Sequence, residues 1–320
     1  MLWVLNQTPL ALFALVFVVL ALLSERFREP SNVLNILTQS SALAIAAIGM
    51  TFVLLLAGVD LSVGSIMFVT VAITGKLLFS QYPLALALGA GCLVALLGGV
   101  LNALLVVRLR IIPFIATLGM LFVARGFGLW LTNTRAMNMP ASVTALGTAR
   151  WGGVPAPIVM MLLVAGLSQW FLSRTAAGRQ LYAIGKHSDA AKKAGVRVET
   201  ITSFAYIVCG LLAGLSGIVS LTQTGAISPS FGQQREFAAI AAAVLGGVSL
   251  FGGRGRAFPG AVLGAVLFQM VENGLVILNA DPYLYPLVIS GVIFVAVLVD
   301  TLRNRLATRL SRRHIMPLTP

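Results

Sequence analysis

Ten apolar runs follow one another along this 320-residue chain, broken by charges, prolines and polar clusters, and each is about as long as a helix that crosses a bilayer. The hydrocarbon core of a membrane takes roughly 20 helical residues. A chain inside it must satisfy its backbone hydrogen bonds internally, which a helix does. The runs fall at about 8–24, 33–57, 62–79, 84–107, 111–131, 155–173, 201–222, 237–252, 257–278 and 284–302. They predict an all-α polytopic membrane protein of about ten transmembrane helices. A single transmembrane domain is expected over 1–302, with a polar loop at 174–200 and a basic tail at 303–320.

Composition closes off the soluble alternatives. Only 10% of the residues are charged and 58% are hydrophobic, whereas a soluble domain carries about 25% charged residues. So little charge cannot coat a water-facing surface, which excludes a soluble enzyme, a nucleic-acid-binding domain and a disordered chain. The formal net charge of +13 would suggest nucleic acid in a soluble protein. Here Lys and Arg sit between the apolar runs, where they set orientation. With the N-terminus inside, the inner segments hold Arg108, Arg110, Arg174, Arg179, Lys186, Lys192, Lys193, Arg197, Arg254, Arg256 and the five arginines of the tail. The outer segments hold only Arg26, Arg28, Arg135, Arg150 and Arg235. This asymmetry predicts cytoplasmic N- and C-termini. Leu10 to Leu23 resembles the core of a secretory signal, but no positive charge precedes it and Leu22-Leu23-Ser24 is a poor cleavage site, so a retained first helix is expected.

The catalytic inventory is nearly empty. Gly75-Lys76-Leu77 and Gly185-Lys186-His187 lack the glycine loop and the Ser/Thr of a nucleotide-phosphate cradle, and neither HExxH nor GxSxG occurs. His187 and His314 are isolated, and Cys92 and Cys209 fall inside apolar runs, as small buried hydrophobes do. No catalytic residue and no metal site is expected, so the energy for any transport comes from an ion gradient or from a partner. Gly210-x3-Gly214, Gly260-x3-Gly264 and Gly98-Gly99 beside Ala95 are read as surfaces on which helices approach closely.

The most informative segment is the loop from Thr175 to Val198. Ser188 is placed to cap a short helix, Asp189 sits at its positive end, Lys192 and Lys193 occupy its last turn, and Gly195 ends it. Two turns are too short to be stable alone, so the helix is expected to dock on something. A solvated basic loop is the other reading.

Asp189-Ala190-Ala191-x3-Gly195 resembles the EAA-x3-G loop by which permeases of ATP-binding-cassette (ABC) importers engage their ATPase subunits, with Asp in place of Glu. The run from Gly178 to Gly185 narrows the resemblance to the ribose-type, monosaccharide branch. Further segments agree with that branch: Gly49-Met50-Thr51 leading to Gly58-Val59-Asp60-Leu61-Ser62-Val63-Gly64-Ser65, Pro113 to Gly119 with Arg125-Gly126, and Ile240 to Ala243 running into Leu245-Gly246-Gly247-Val248-Ser249-Leu250-x-Gly252-Gly253-x-Gly255. Asn273-Gly274-Leu275 and Leu298-Val299-Asp300 also fit, so the likeness covers roughly 35–302. The chain departs from the pattern at Arg235-Glu236 and at Lys186-His187.

The resemblance implies a permease subunit that moves a monosaccharide or related polyol across the bacterial inner membrane by alternating access. Its implied partners are a cytoplasmic ABC ATPase, a periplasmic sugar-binding protein and a second copy or sister permease. No cofactor is bound by this chain, ATP being used by the partner subunit. Gly185, Ser188, Asp189, Ala190, Ala191 and Gly195 are the implied ATPase-coupling residues.

An ionisable group inside a membrane is a functional candidate by default. Asp60 stands where Gly58 and Asp60-Leu61-Ser62 break the second run, as a cap of the next helix or as a hinge. Arg125 and Glu272 fall in the outer third and are expected to pair or to face one polar cavity. Asn102, Gln269 and Asn273 either line a sugar-compatible path or hydrogen-bond between helices. An ion-coupled secondary sugar carrier is the alternative. It needs an ion site near the midplane, for which only Asp60, Glu272 and Arg125 are available.

Overall fold

The structure, a computed structural model, describes residues 8–312. It is mostly helical, in the order α1 (Thr8–Leu23), α2 (Pro30–Leu54), α3 (Val63–Phe79), α4 (Leu84–Ala103, carried on by a wider turn to Arg108), α5 (Pro113–Thr132), α6 (Ala141–Thr148), α7 (Ala156–Arg174), α8 (Ala176–Lys186), α9 (Ser188–Lys193), α10 (Val198–Thr224), α11 (Arg235–Leu245), α12 (Val262–Ile277, entered through a wider turn at Ala257–Ala261) and α13 (Tyr285–Arg312). Six of these, α2, α4, α5, α7, α10 and α12 with its entry turn, are long and apolar enough to cross a membrane, and α1, α3 and the first part of α13 are shorter apolar helices.

Local chemistry sets the ends. Pro30 and Pro113 open α2 and α5, and Pro157 lies in the first turn of α7, positions where a missing N–H costs nothing. Asn133 and Gly225, both at positive φ, close α5 and α10.

Helices α2 and α10 form the centre. Every residue of α2 from Ser40 to Leu54 is buried, and α10 packs along α2, α3 and α4. Small residues allow the closest approach: a Cβ on Gly210 of α10 would stand 2.6 Å from the backbone of Gly99 on α4. In hydrocarbon, such backbone proximity supplies the packing that water no longer drives. The outer faces of α5 and α7 leave Phe122, Trp130, Leu167 and Trp170 exposed, an apolar coat that suits lipid rather than water.

The bundle has two distinct ends. Helices α8 and α9 form an elbow at one. At the far end β1 (Met137–Asn138) pairs antiparallel with β4 (Ala226–Ile227), α6 lies over the end of α10, and β2 (Arg150–Trp151) pairs with β3 (Val154–Pro155).

Two of the expected runs fold differently. The eighth, 237–252, is not one continuous helix: α11 has 11 residues, which at about 1.5 Å each is about half of a ~30 Å hydrocarbon core. Gly247 ends it. At φ +89° it donates its N–H to the Val244 carbonyl (2.8 Å) while Val248 N–H reaches the Ala243 carbonyl (3.0 Å), a left-handed glycine stop. Irregular backbone leads into α11 from β4 and out of it, through 246–256, to the elbow. The tenth run does not stop at 302, because α13 continues as helix to Arg312. Residues 313–320 of the expected tail lie outside the described residues.

Candidate functional site

The elbow begins at Thr175, whose hydroxyl accepts the Gly178 N–H at 3.0 Å and caps α8. Helix α8 buries Leu181 and Ile184. Ser188 is the first residue of α9 rather than its cap, and it makes no capping hydrogen bond. The turn is closed by backbone instead, Ala191 N–H donating to the His187 carbonyl. At the other end Gly195 (φ +82°) stops α9 as expected, with Val196 N–H on the Ala191 carbonyl. Ala191 points inward, while Ser188, Asp189, Ala190, Lys192, Lys193 and Gly195 are exposed. Helix α9 therefore has one face on the bundle and a charged face on solvent.

The inner face of the elbow is fastened to the glycine-rich segment that leaves α11. Gly253 N–H donates to the Leu55 carbonyl at the end of α2 (2.9 Å). Gly185 sits so close to the same carbonyl that a Cβ there would overlap it. The Tyr182 hydroxyl donates to the Gly255 carbonyl at 2.8 Å. Burial pushes the Tyr182 phenol above its ordinary range, with the Arg256 charge opposing, so it stays a hydrogen-bond donor at neutral pH.

Within the bundle, three candidates come together. Asp60 Oδ1 accepts from the Ser62 N–H (2.9 Å) and the Ser62 hydroxyl (2.6 Å), and Asn102 Nδ2 donates to both Asp60 oxygens and to Ser62 Oγ. All three side chains are fully buried. The cluster ties the turn before α3 to α4; Asp60 bonds Ser62, the residue ahead of the helix, and caps no N–H of α3 itself.

Arg125 and Glu272 do not pair. Arg125 Nη1 donates to the Phe231 carbonyl at 2.6 Å, and its guanidinium stacks over the Phe68 ring at 4.9 Å. The carboxylate that acts on it is Glu236, in the first turn of α11. The half-length helix explains the difference, since the turn that leads into it brings the Phe231 carbonyl to Arg125, while Glu272 on α12 lines a cavity that Arg125 does not reach. Asn273 also leaves the shared site: it exchanges two 3.0 Å hydrogen bonds with Asn32.

Glu272 and Gln269 instead line a half-open cavity of about 250 Å³ between α2, α10, α12 and the start of α11. Gln39, Gln223, Ser216 and Ser220 supply further polar groups, Arg235 faces Glu272 without closing into an ion pair, and Ala42, Leu43 and Met67 form an apolar wall. One turn before Met67, toward the elbow, the Gly64 backbone lies directly on that of Gly232, with the Glu236 carboxylate beside it. Sequence reading missed Arg235, Glu236, Gln39, Gln223 and Tyr182. Arg235-Glu236 ahead of the Ala-rich run was the available signal, because two charges there sit badly in a continuous span. Among the described residues no group of three or more His, Cys, Asp or Glu gathers as a metal site would need.

A family profile described as branched-chain amino acid transport system / permease component matches residues 32–298. The chain is 35% identical over 303 residues to the ribose import permease protein RbsC of Escherichia coli strain K12, covering 93% of this chain and 94% of that one. It is 37% identical over 295 residues to the ribose import permease protein RbsC of Bacillus subtilis strain 168, covering 91% of each. It is 35% identical over 284 residues to the D-allose transport system permease protein AlsC of Escherichia coli strain K12, covering 88% and 86%. No solved structure matches.

Proposed function

This chain belongs to the family of branched-chain amino acid transport system / permease components, and we propose that it is the membrane subunit of an ABC importer for a monosaccharide or related polyol. The observation that carries the reading is the elbow. Helix α9 is too short to stand alone, turns a charged face outward, and sits on α8, which is fastened to the segment leaving α11. Relatives over most of the length carry ribose and allose transport in their names. The same likeness speaks against an ion-coupled carrier.

In this reading the chain crosses the bacterial inner membrane ten times. Nine crossings are apolar helices, and the remaining one is the irregular segment 226–256 with α11 in its middle. Both termini, with the 303–320 tail, are cytoplasmic, and 1–302 acts as one domain. Two cytoplasmic ATPases grip α9 through Ser188, Asp189, Ala190 and Gly195, with Gly185 and Ala191 seating the elbow. Two permeases, identical or sister chains, stand side by side, and a periplasmic binding protein delivers solute to the far end. ATP closes the ATPase pair and moves the elbow. The elbow pulls on 246–256, and α11 transmits the shift to Arg125 and the cavity. Asp60, Ser62 and Asn102 brace the turn that must hold while this happens; Gln269 and Glu272 line the path. The chain itself contributes no nucleotide chemistry.

Reconstitution tests this. Permease, ATPase and binding protein in liposomes should accumulate sugar only when all three and ATP are present. Accumulation by the permease alone would overturn the reading.

A further inference from the structure

The far-end cavity holds two opposite charges that face one another without contact. Arg235 is the first residue of α11 and Glu272 lies on α12, so the two charges reach the cavity from different helices. We propose that the gap is a binding subsite for one neutral polyhydroxylated ring, so that the permease itself selects what it passes. The proposal rests on the importer reading above.

The chemistry of the lining favours that class. A carboxylate accepts from two neighbouring hydroxyls and a guanidinium donates to hydroxyl oxygens, while the carboxamides of Gln39 and Gln269 do both. The apolar wall with Met67 suits the C–H side of a sugar ring. The two lining charges cancel, so a charged solute would leave one of them buried without a partner, which is costly. An apolar solute would leave both unsatisfied. At about 250 Å³ the cavity lies below the roughly 300–1,000 Å³ of drug-sized pockets, which fits a single ring.

The test uses the complete importer in proteoliposomes with D-ribose and D-allose as probes. Glu272→Gln and Arg235→Gln should each raise the KM for uptake about tenfold, the loss of one charge-assisted hydrogen bond. ATPase stimulation by the loaded binding protein should persist. A second measurement serves variants that fail to assemble. Ser220→Cys is alkylated with a small maleimide in the permease without its partners, and the transported sugar should slow labelling severalfold while D-ribonate does not. Unchanged KM in assembled variants, or labelling indifferent to saturating transported sugar, overturns the subsite and leaves the importer standing. If the wild-type assembly moves no neutral sugar, the importer reading fails and the subsite with it.

Discussion

The Tyr182 hydroxyl, on the elbow, holds the Gly255 carbonyl at 2.8 Å across 73 residues of sequence. It is the side-chain strut between the segment that would contact an ATPase and the segment that leads back to α11. Removing that oxygen in Tyr182→Phe keeps the ring and its packing and deletes one hydrogen bond, worth about 0.5–1.5 kcal/mol. The expected outcome is a normally folded permease whose sugar uptake per ATP hydrolysed falls severalfold. Parallel uptake and phosphate-release assays check it.

Asp189 and Gly195 should separate folding from coupling. Both are exposed, and a Cβ on Gly195 meets nothing within 4 Å, leaving only the strain of its φ of +82°, about 1–2 kcal/mol. Asp189→Lys is expected to leave the detergent-solubilised protein's thermal unfolding within about 3 °C of wild type, and Gly195→Ala to lower it by roughly 3–7 °C with the fold retained. Both should weaken co-purification of the ATPase. Gly185→Ala should behave oppositely, since its Cβ would overlap the Leu55 carbonyl: folded yield falls before coupling can be measured.

Asn102→Leu is expected to be strongly destabilising. It strips three hydrogen bonds from the buried Asp60–Ser62 cluster, leaving acceptors with no water to replace them. A buried acceptor without a partner costs about 1–3 kcal/mol, which predicts unfolding in detergent roughly 3–10 °C lower. An Asp60→Asn/Asn102→Leu double variant should recover part of that loss, because the new amide can donate to the Ser62 oxygen that Asn102 leaves without a donor.

Arg125 and Glu272 should behave as strangers. A cycle of Arg125→Met with Glu272→Gln is expected to add within about 0.5 kcal/mol, whereas Arg125→Met with Glu236→Gln should depart from additivity by roughly 0.5–3 kcal/mol. Unfolding temperatures of the single and double variants decide between them.

Much of this arrangement is legible in the amino-acid sequence, and the exceptions share a cause. Eight of the apolar runs fold as helices close to their expected limits, because each carries its own start and stop, such as Pro113 at the head of α5 and Gly225 after α10, while the tenth runs on to Arg312. Gly195 ends α9 for the same reason. The eighth run misleads because hydropathy counts Gly246-Gly247 as neutral, while their backbone freedom ends the helix halfway. Everything that depends on the position of α11 is displaced with it. Arg125 finds Phe231 and Glu236 instead of Glu272, and Arg235 turns from an outer-loop cation into a cavity wall. Ser188 is misread more locally, since a hydroxyl before Asp-Ala-Ala looks like a cap but the His187 carbonyl already closes the turn. The Tyr182 strut and the cavity carboxamides join distant parts of the chain, and no periodicity or spacing announces such partners.

The contact of Gly64 with Gly232 beneath the cavity has an electrical consequence. A barrier made of two main chains contains no rotamer that can swing aside on the picosecond-to-nanosecond scale of side-chain motion, so it opens only when whole segments part, in microseconds or longer. If the importer's path crosses this contact, as the proposed function has it, the resting protein holds back protons and sodium as firmly as solute. Its presence in an energised membrane then adds no short circuit to the potential on which the rest of the cell draws.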